Sequence, residues 1–302
     1  MRMRPRLDQT TMQAEPLLPV SDAIKEFISF IALFLSAGPL GFRYFALRSR
    51  DSASDRPFYD DAAKRAAAIG LIGVVIGLLM AWTGLPDLAA RRHTSAGVLL
   101  TSDPPTMMQF GFLALALIGF AFAALRVSAG WALAAIGVIA GTLRLAFLGQ
   151  WSRLINPVHS LAAGLWIGTL FVLVVAGLSS LFAHEPRARR GPIAADMVNN
   201  FSPLALSMGG VVVAFGLITA WRHLHVLSNL WSTPYGYALI VKLLLAGTVF
   251  VLGAWNWRRQ RPTLGTEDAS VSIRRSSIAE LTVATLVLVA TAVVVSLPAP
   301  KA

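Results

Sequence analysis

Long apolar runs, separated by short stretches that gather most of the charge, set the pattern of this chain. Runs able to cross roughly 30 Å of hydrocarbon fall at about 25–48, 65–84, 107–125, 130–148, 157–183, 201–222, 236–257 and 278–297. They predict an all-α, polytopic integral membrane bundle of about eight transmembrane helices. The third and fourth runs are separated only by a link from Arg126 to Gly130, as an antiparallel helix pair requires. Pro157, Pro203 and Pro234 lie at or near predicted span starts, where a missing N–H costs little. Gly73/Gly77, Gly137/Gly141 and Gly164/Gly168 have the spacing that lets helices approach closely. Replacing one of them with a large residue should overpack such a contact. Residues 1–23 read as a polar tail without the apolar core and cleavage site of a signal peptide, so the first run is expected to be a retained span. The chain then divides into a four-helix membrane half at 24–150 and a second four-helix half at 151–302.

Composition sharpens this picture. Of the 302 residues, 56% are hydrophobic and 14% charged, where a soluble domain carries roughly a quarter charged. The net charge of +11 could suggest nucleic acid, but the 26 Lys and Arg residues sit almost entirely between or at the ends of the apolar runs. That is the distribution of positive-inside anchoring, so the expected partner is the lipid bilayer and nucleic acid is not expected. The linkers after the first, third, fifth and seventh spans, with the adjoining helix ends, hold 15 of the 26. This is expected to place both termini outside the cytoplasm.

The chain has no cysteine, which excludes disulfides, thiolate metal sites and a Cys nucleophile. It lacks a phosphate loop, a His-Glu-x-x-His and a Gly-x-Ser-x-Gly, so no enzyme is predicted. No carboxylate falls in the middle of a run; Glu26 and Glu280 come nearest, which weakens a proton-coupled reading. Lys242 lies about two turns into the seventh run, where a lysine either snorkels to the interface or faces the bundle. Histidine carries the chemistry that remains. On this topology His93, His159, His223 and His225 share the non-cytoplasmic side, and His184 alone lies on the other. Neutral imidazole is the commonest metal ligand and Met sulfur favours Cu(I). Met107 and Met108 open the third span on the same face. His159, His223, His225, His93, Met107 and Met108 are therefore the candidate metal ligands. Residues two apart on a helix point to nearly opposite faces, so His223 and His225 share an ion only if the helix ends there.

The second half of the chain adds a resemblance. Phe201-Ser202-Pro203, Thr219 through Leu224, Leu230 through Gly236, Val241-Lys242-Leu243 and Gly253-Ala254-Trp255-Asn256 resemble the copper-resistance protein D family, as does the His159 through Gly168 stretch. His159, Trp166, Phe201, Tyr235, Gly236, Lys242 and Asn256 carry the match. The resemblance covers about residues 155 to 297 and implies a bacterial inner-membrane protein of copper uptake or tolerance, working beside a small periplasmic copper-binding protein. The expectation that follows is a protein that accepts copper ions at its periplasmic face and passes them into or across the bundle. Two other readings stay open: an accessory or scaffold subunit of a larger membrane complex, and a b-type cytochrome in which His159 and His223 ligate haem iron axially.

Overall fold

The computed structural model describes residues 20–47, 56–224, 226–260 and 266–298, and within them every regular element is a helix. The polar tail up to residue 19 and His225 lie outside the described residues. Among the described residues, seven helices are long and apolar enough to cross a membrane. They are built from α1 (Val20–Gly41), α2 (Arg56–Arg91), α4 (Pro104–Ala124), a composite helix over Ile155–His184, α9 (Arg187–Leu224), α11 (Pro234–Gln260) and α12 (Glu267–Ser296). The composite helix joins α6 (Ile155–Ala163), α7 (Thr169–Val172) and α8 (Ser179–His184) through two π-helical segments. Short α3 (Ala96–Ser102) and α10 (Asn229–Ser232) fill two of the connections.

The expected fourth span is shorter than its apolar run. Helix α5 covers only Ala129–Thr142 and gives way to a 3-10 segment at Arg144–Leu148 that closes on Gly149 in the left-handed region, φ 69°. A charged Arg144 and a helix-ending glycine explain the early stop. Two other spans exceed their apolar windows because polar turns continue the helix beyond the hydrocarbon. Helix α2 has 36 residues and α9 has 38, about 54 and 57 Å at 1.5 Å per residue. Pro203 consequently lies well inside α9, not near its start, whereas Pro157 is in the first turn of α6 and Pro234 is the first residue of α11.

Alternate crossings put Val20, the α2–α3 corner, the turns around residues 149–154 and Ser296 on one face, called upper here. Lys25 meets Asp87 at 3.4 Å on this face. At the lower face Arg126 reaches Asp60 at 3.6 Å, and Asp61 accepts hydrogen bonds from Ser180 Oγ at 2.7 Å and Arg65 Nε at 2.8 Å. Exposed aromatics sit near both levels, with Trp82, Trp221 and Trp231 above and Tyr44, Trp255 and Trp257 below, as interfacial belts do. Leu206, Leu217, Leu244 and Val251 stand exposed between them, apolar side chains suited to lipid.

The composite helix is the span most enclosed by the others. Its closest neighbour is α1, and the contact is backbone on backbone. A Cβ built on Gly168 would lie 2.4 Å from the Phe34 carbonyl oxygen, and one on Gly38 would lie 2.4 Å from the Gly168 carbonyl. Of the spacings read from the sequence, Gly168 and Gly73 serve close approach to α1, and Gly137 serves close approach to α4. Around this seam Phe42, Val172, Leu173 and Leu178 are fully buried.

Candidate functional site

The composite helix and α9 pack along a seam with polar cross-links at its upper end. Arg222 Nη1 donates to the Ser152 carbonyl at 3.0 Å, and Thr219 Oγ1 donates to Asn156 Oδ1 at 2.8 Å. About two turns deeper on α9, the Val212 carbonyl lies 2.9 Å from His159 Nδ1. A carbonyl only accepts, so in the neutral ring the proton sits on Nδ1 and the Nε2 lone pair is free. Metal-ligating histidines are usually fixed in this way by their second nitrogen. The close approach depends on Gly216, where a Cβ would stand 3.1 Å from His159 Cε1.

His159 opens into a cavity of about 310 Å³ walled by α1, the composite helix, α9, α11 and α12. Its lining is almost wholly apolar, with Trp166 tilted against Phe250 at 4.7 Å between centroids. Lys242 lines the same space; it faces the bundle instead of standing out in lipid. Lower on α11, Asn256 Nδ2 donates to Glu280 on α12, so the deepest carboxylate of the second half has a neutral amide partner.

His223 occupies a separate cavity, also about 310 Å³, with Asn156, Thr219 and Arg222. Its Nδ1 donates to the Thr219 carbonyl at 2.8 Å, and its ring stacks on Tyr235 at 6.2 Å and 14°. Here too Nε2 is left free. The two imidazoles hang on carbonyls seven residues apart on α9, a rise of about 10 Å. The helices carrying them do pack together, as their sequential order suggested, but the register sets His159 about two turns deeper. Axial ligands of one iron would have to come within about 4 Å, twice a metal–nitrogen bond, so this pair does not suit a single haem. The other sequence candidates lie elsewhere. His93 is exposed at the α2–α3 corner with φ 51°. Met107 is exposed and Met108 half-buried in the first turn of α4, which packs on α2 and α5 and not against α9. No group of three or more His, Asp or Glu poised around one ion occurs among the described residues.

Asn156, Ser160 and Thr219 complete this region and were not among the sequence candidates. Asn156 and Thr219 bridge the level of His223 to that of His159, and Ser160 lines the His159 cavity. Nothing in the local sequence pattern marks them, because the Asn156–Thr219 contact joins residues 63 apart on two helices.

A polytopic helical membrane protein with half-buried, tautomer-fixed imidazoles on one inter-helix seam is the class that fold and site define. Residues 195–294, from α9 through most of α12, match the family described as Copper resistance protein D. Through these residues, about a third of the chain, the protein is similar to that family. His223, Tyr235, Lys242 and Asn256 fall inside the matched residues, and His159 and Trp166 precede them. The chain is also 33% identical over 150 residues to "Copper transport protein CutJ" of Bacillus subtilis (strain 168). That alignment covers 49% of this chain and 25% of the relative. No solved structure matches the chain.

Proposed function

We propose that this chain is an inner-membrane copper resistance or transport protein that takes copper ions in at its upper face and passes them along the α6–α9 seam. The relative's description as a copper transport protein supports the cargo, and the excess of Lys and Arg in the lower linkers supports a periplasmic upper face. The observation that carries the route is the pair of oriented imidazoles. His223 stands at the seam's upper end and His159 two turns deeper, each with Nδ1 tied to a backbone carbonyl. Both Nε2 lone pairs are therefore ready for a cation without reorganisation.

A soft or borderline cation held by neutral imidazole would be received at His223 beside Asn156 and Thr219. It would then move to His159 in a cavity that excludes water by its apolar walls. Lys242, in that same cavity, repels a cation that dwells there and favours onward release over tight storage. A small periplasmic copper-binding protein is the proposed donor. Copper flux into proteoliposomes of the purified chain tests this: the parent should transport, and His159→Ala and His223→Ala should each lower the rate at least tenfold. Unchanged flux in both variants would remove the route. A reporter fused after Ala302 that works only in the periplasm should be active; activity of a cytoplasm-only reporter there would invert the faces.

A further inference from the structure

The first half of the chain encloses another cavity, on the side of α6 away from His159. It measures about 480 Å³ and lies between α1, α2, α4, α5 and the first turns of α6. Toward mid-span its walls are small and apolar, as at Val74 and Ala116; toward the upper face they become polar, at Gln109, Asn156 and Arg144.

Arg144 is held below the membrane surface by the early end of α5. The 14 residues of that helix rise about 21 Å, short of a hydrocarbon layer of roughly 30 Å. Two of its nitrogens have neutral partners: Nη1 donates to the Gly141 carbonyl at 3.2 Å and Nη2 to Gln109 Oε1 at 3.3 Å. Its Nε is buried and finds no partner, and among the described residues no carboxylate forms an ion pair with this guanidinium. A cation kept at this depth without a counter-charge is costly, and the planar fork of guanidinium matches an oxyanion better than any other side chain does.

Cavity shape selects the oxyanion's source. A free phosphate would meet only the polar end, whereas an amphiphile meets both ends. We infer that this cavity binds one anionic phospholipid, with its phosphate on Arg144 and Gln109 and an acyl chain along Val74 and Ala116. The site is independent of the copper route, although Asn156 also lines the His223 cavity and Ser160 also lines the His159 cavity. A lipid seated there braces the turn of α6 that carries His159.

The test uses the full chain in mild detergent, with native mass spectrometry and thermal unfolding after addition of phosphatidylglycerol, phosphatidylcholine or inorganic phosphate. Phosphatidylglycerol should stay bound and raise the unfolding midpoint, and phosphatidylcholine and phosphate should do neither. Arg144→Gln should reduce phosphatidylglycerol retention roughly tenfold, with Arg144→Lys in between. Equal retention of both lipids, an unchanged Arg144→Gln, or equal stabilisation by phosphate would each overturn the inference. Should Arg144→Gln fail to fold, Val74→Phe, which fills the apolar end, must still lower phosphatidylglycerol retention in a folded protein; unaltered retention overturns the proposal by itself.

Discussion

Gly216 sets how closely His159 can sit against α9, and replacing it separates site geometry from stability. An alanine methyl at 216 would stand 3.1 Å from His159 Cε1 and 3.4 Å from Nδ1, so the ring must retreat by a few tenths of an ångström. The Nδ1–Val212 hydrogen bond, now 2.9 Å, would lengthen to the edge of the normal range. Losing such a bond costs about 0.5–1.5 kcal/mol. Exchanging a helical glycine for alanine returns about 0.5–1 kcal/mol, so net stability of Gly216→Ala should stay within about 1 kcal/mol of the parent. Metal affinity responds differently, because a ligand's outer-shell partner typically governs it by about 10–100-fold. The expected outcome is a copper affinity about tenfold weaker in an equally stable protein, read by competition with a chromogenic copper chelator and by thermal unfolding in detergent. Gly210→Ala, whose methyl would meet nothing within 4 Å, is the control that gains helix propensity alone. Equal copper affinity in the two variants would refute the coupling of Gly216 to His159.

Other expectations are independent of copper. Gly168→Leu must push its side chain into the Phe34 carbonyl on α1, and should lower unfolding stability in detergent by about 1–3 kcal/mol; an unchanged midpoint would mean this seam yields freely. At the α3–α4 corner, burial alone would raise the Asp103 carboxyl, but hydrogen bonds from the Thr106 hydroxyl and backbone and the Arg92 guanidinium outweigh it and hold it below the usual carboxylate range. Because its folded value lies below the unfolded one, Asp103 stabilises the fold above pH about 4. That contribution is lost as pH falls through the lower folded value. The stability difference between the parent and Asp103→Asn should therefore be constant from neutral pH to about pH 4 and shrink below it; a difference independent of pH throughout would show that the charge is not what matters.

The helical class and the placing of most spans were legible from apolar run length, because a bilayer demands it. Boundaries were not, since the polar turns of α2 and α9 carry no apolar signal and are held by helix continuity. The end of α5 was written in Arg144 and Gly149 within a run that otherwise looks like a span. Histidine chemistry was legible as residue types on one face, but their register was not. Whether His159 meets His223 or lies two turns below it depends on Gly216 and on the Asn156–Thr219 bond, which pattern and spacing do not disclose. The separation of Met107 and Met108 from α9 likewise follows from α4 pairing with α2 and α5, a choice of neighbours that no local sequence feature specifies.

Copper titration of the purified chain, followed by X-ray absorption at the copper edge, tests the account most directly. The parent should bind copper through imidazole nitrogen, and the imidazole signal should be lost in His159→Ala/His223→Ala while His184→Ala, at the lower face, matches the parent. Stoichiometric copper binding with an unaltered imidazole signal in that double variant would contradict the assignment of the α6–α9 seam as the copper route.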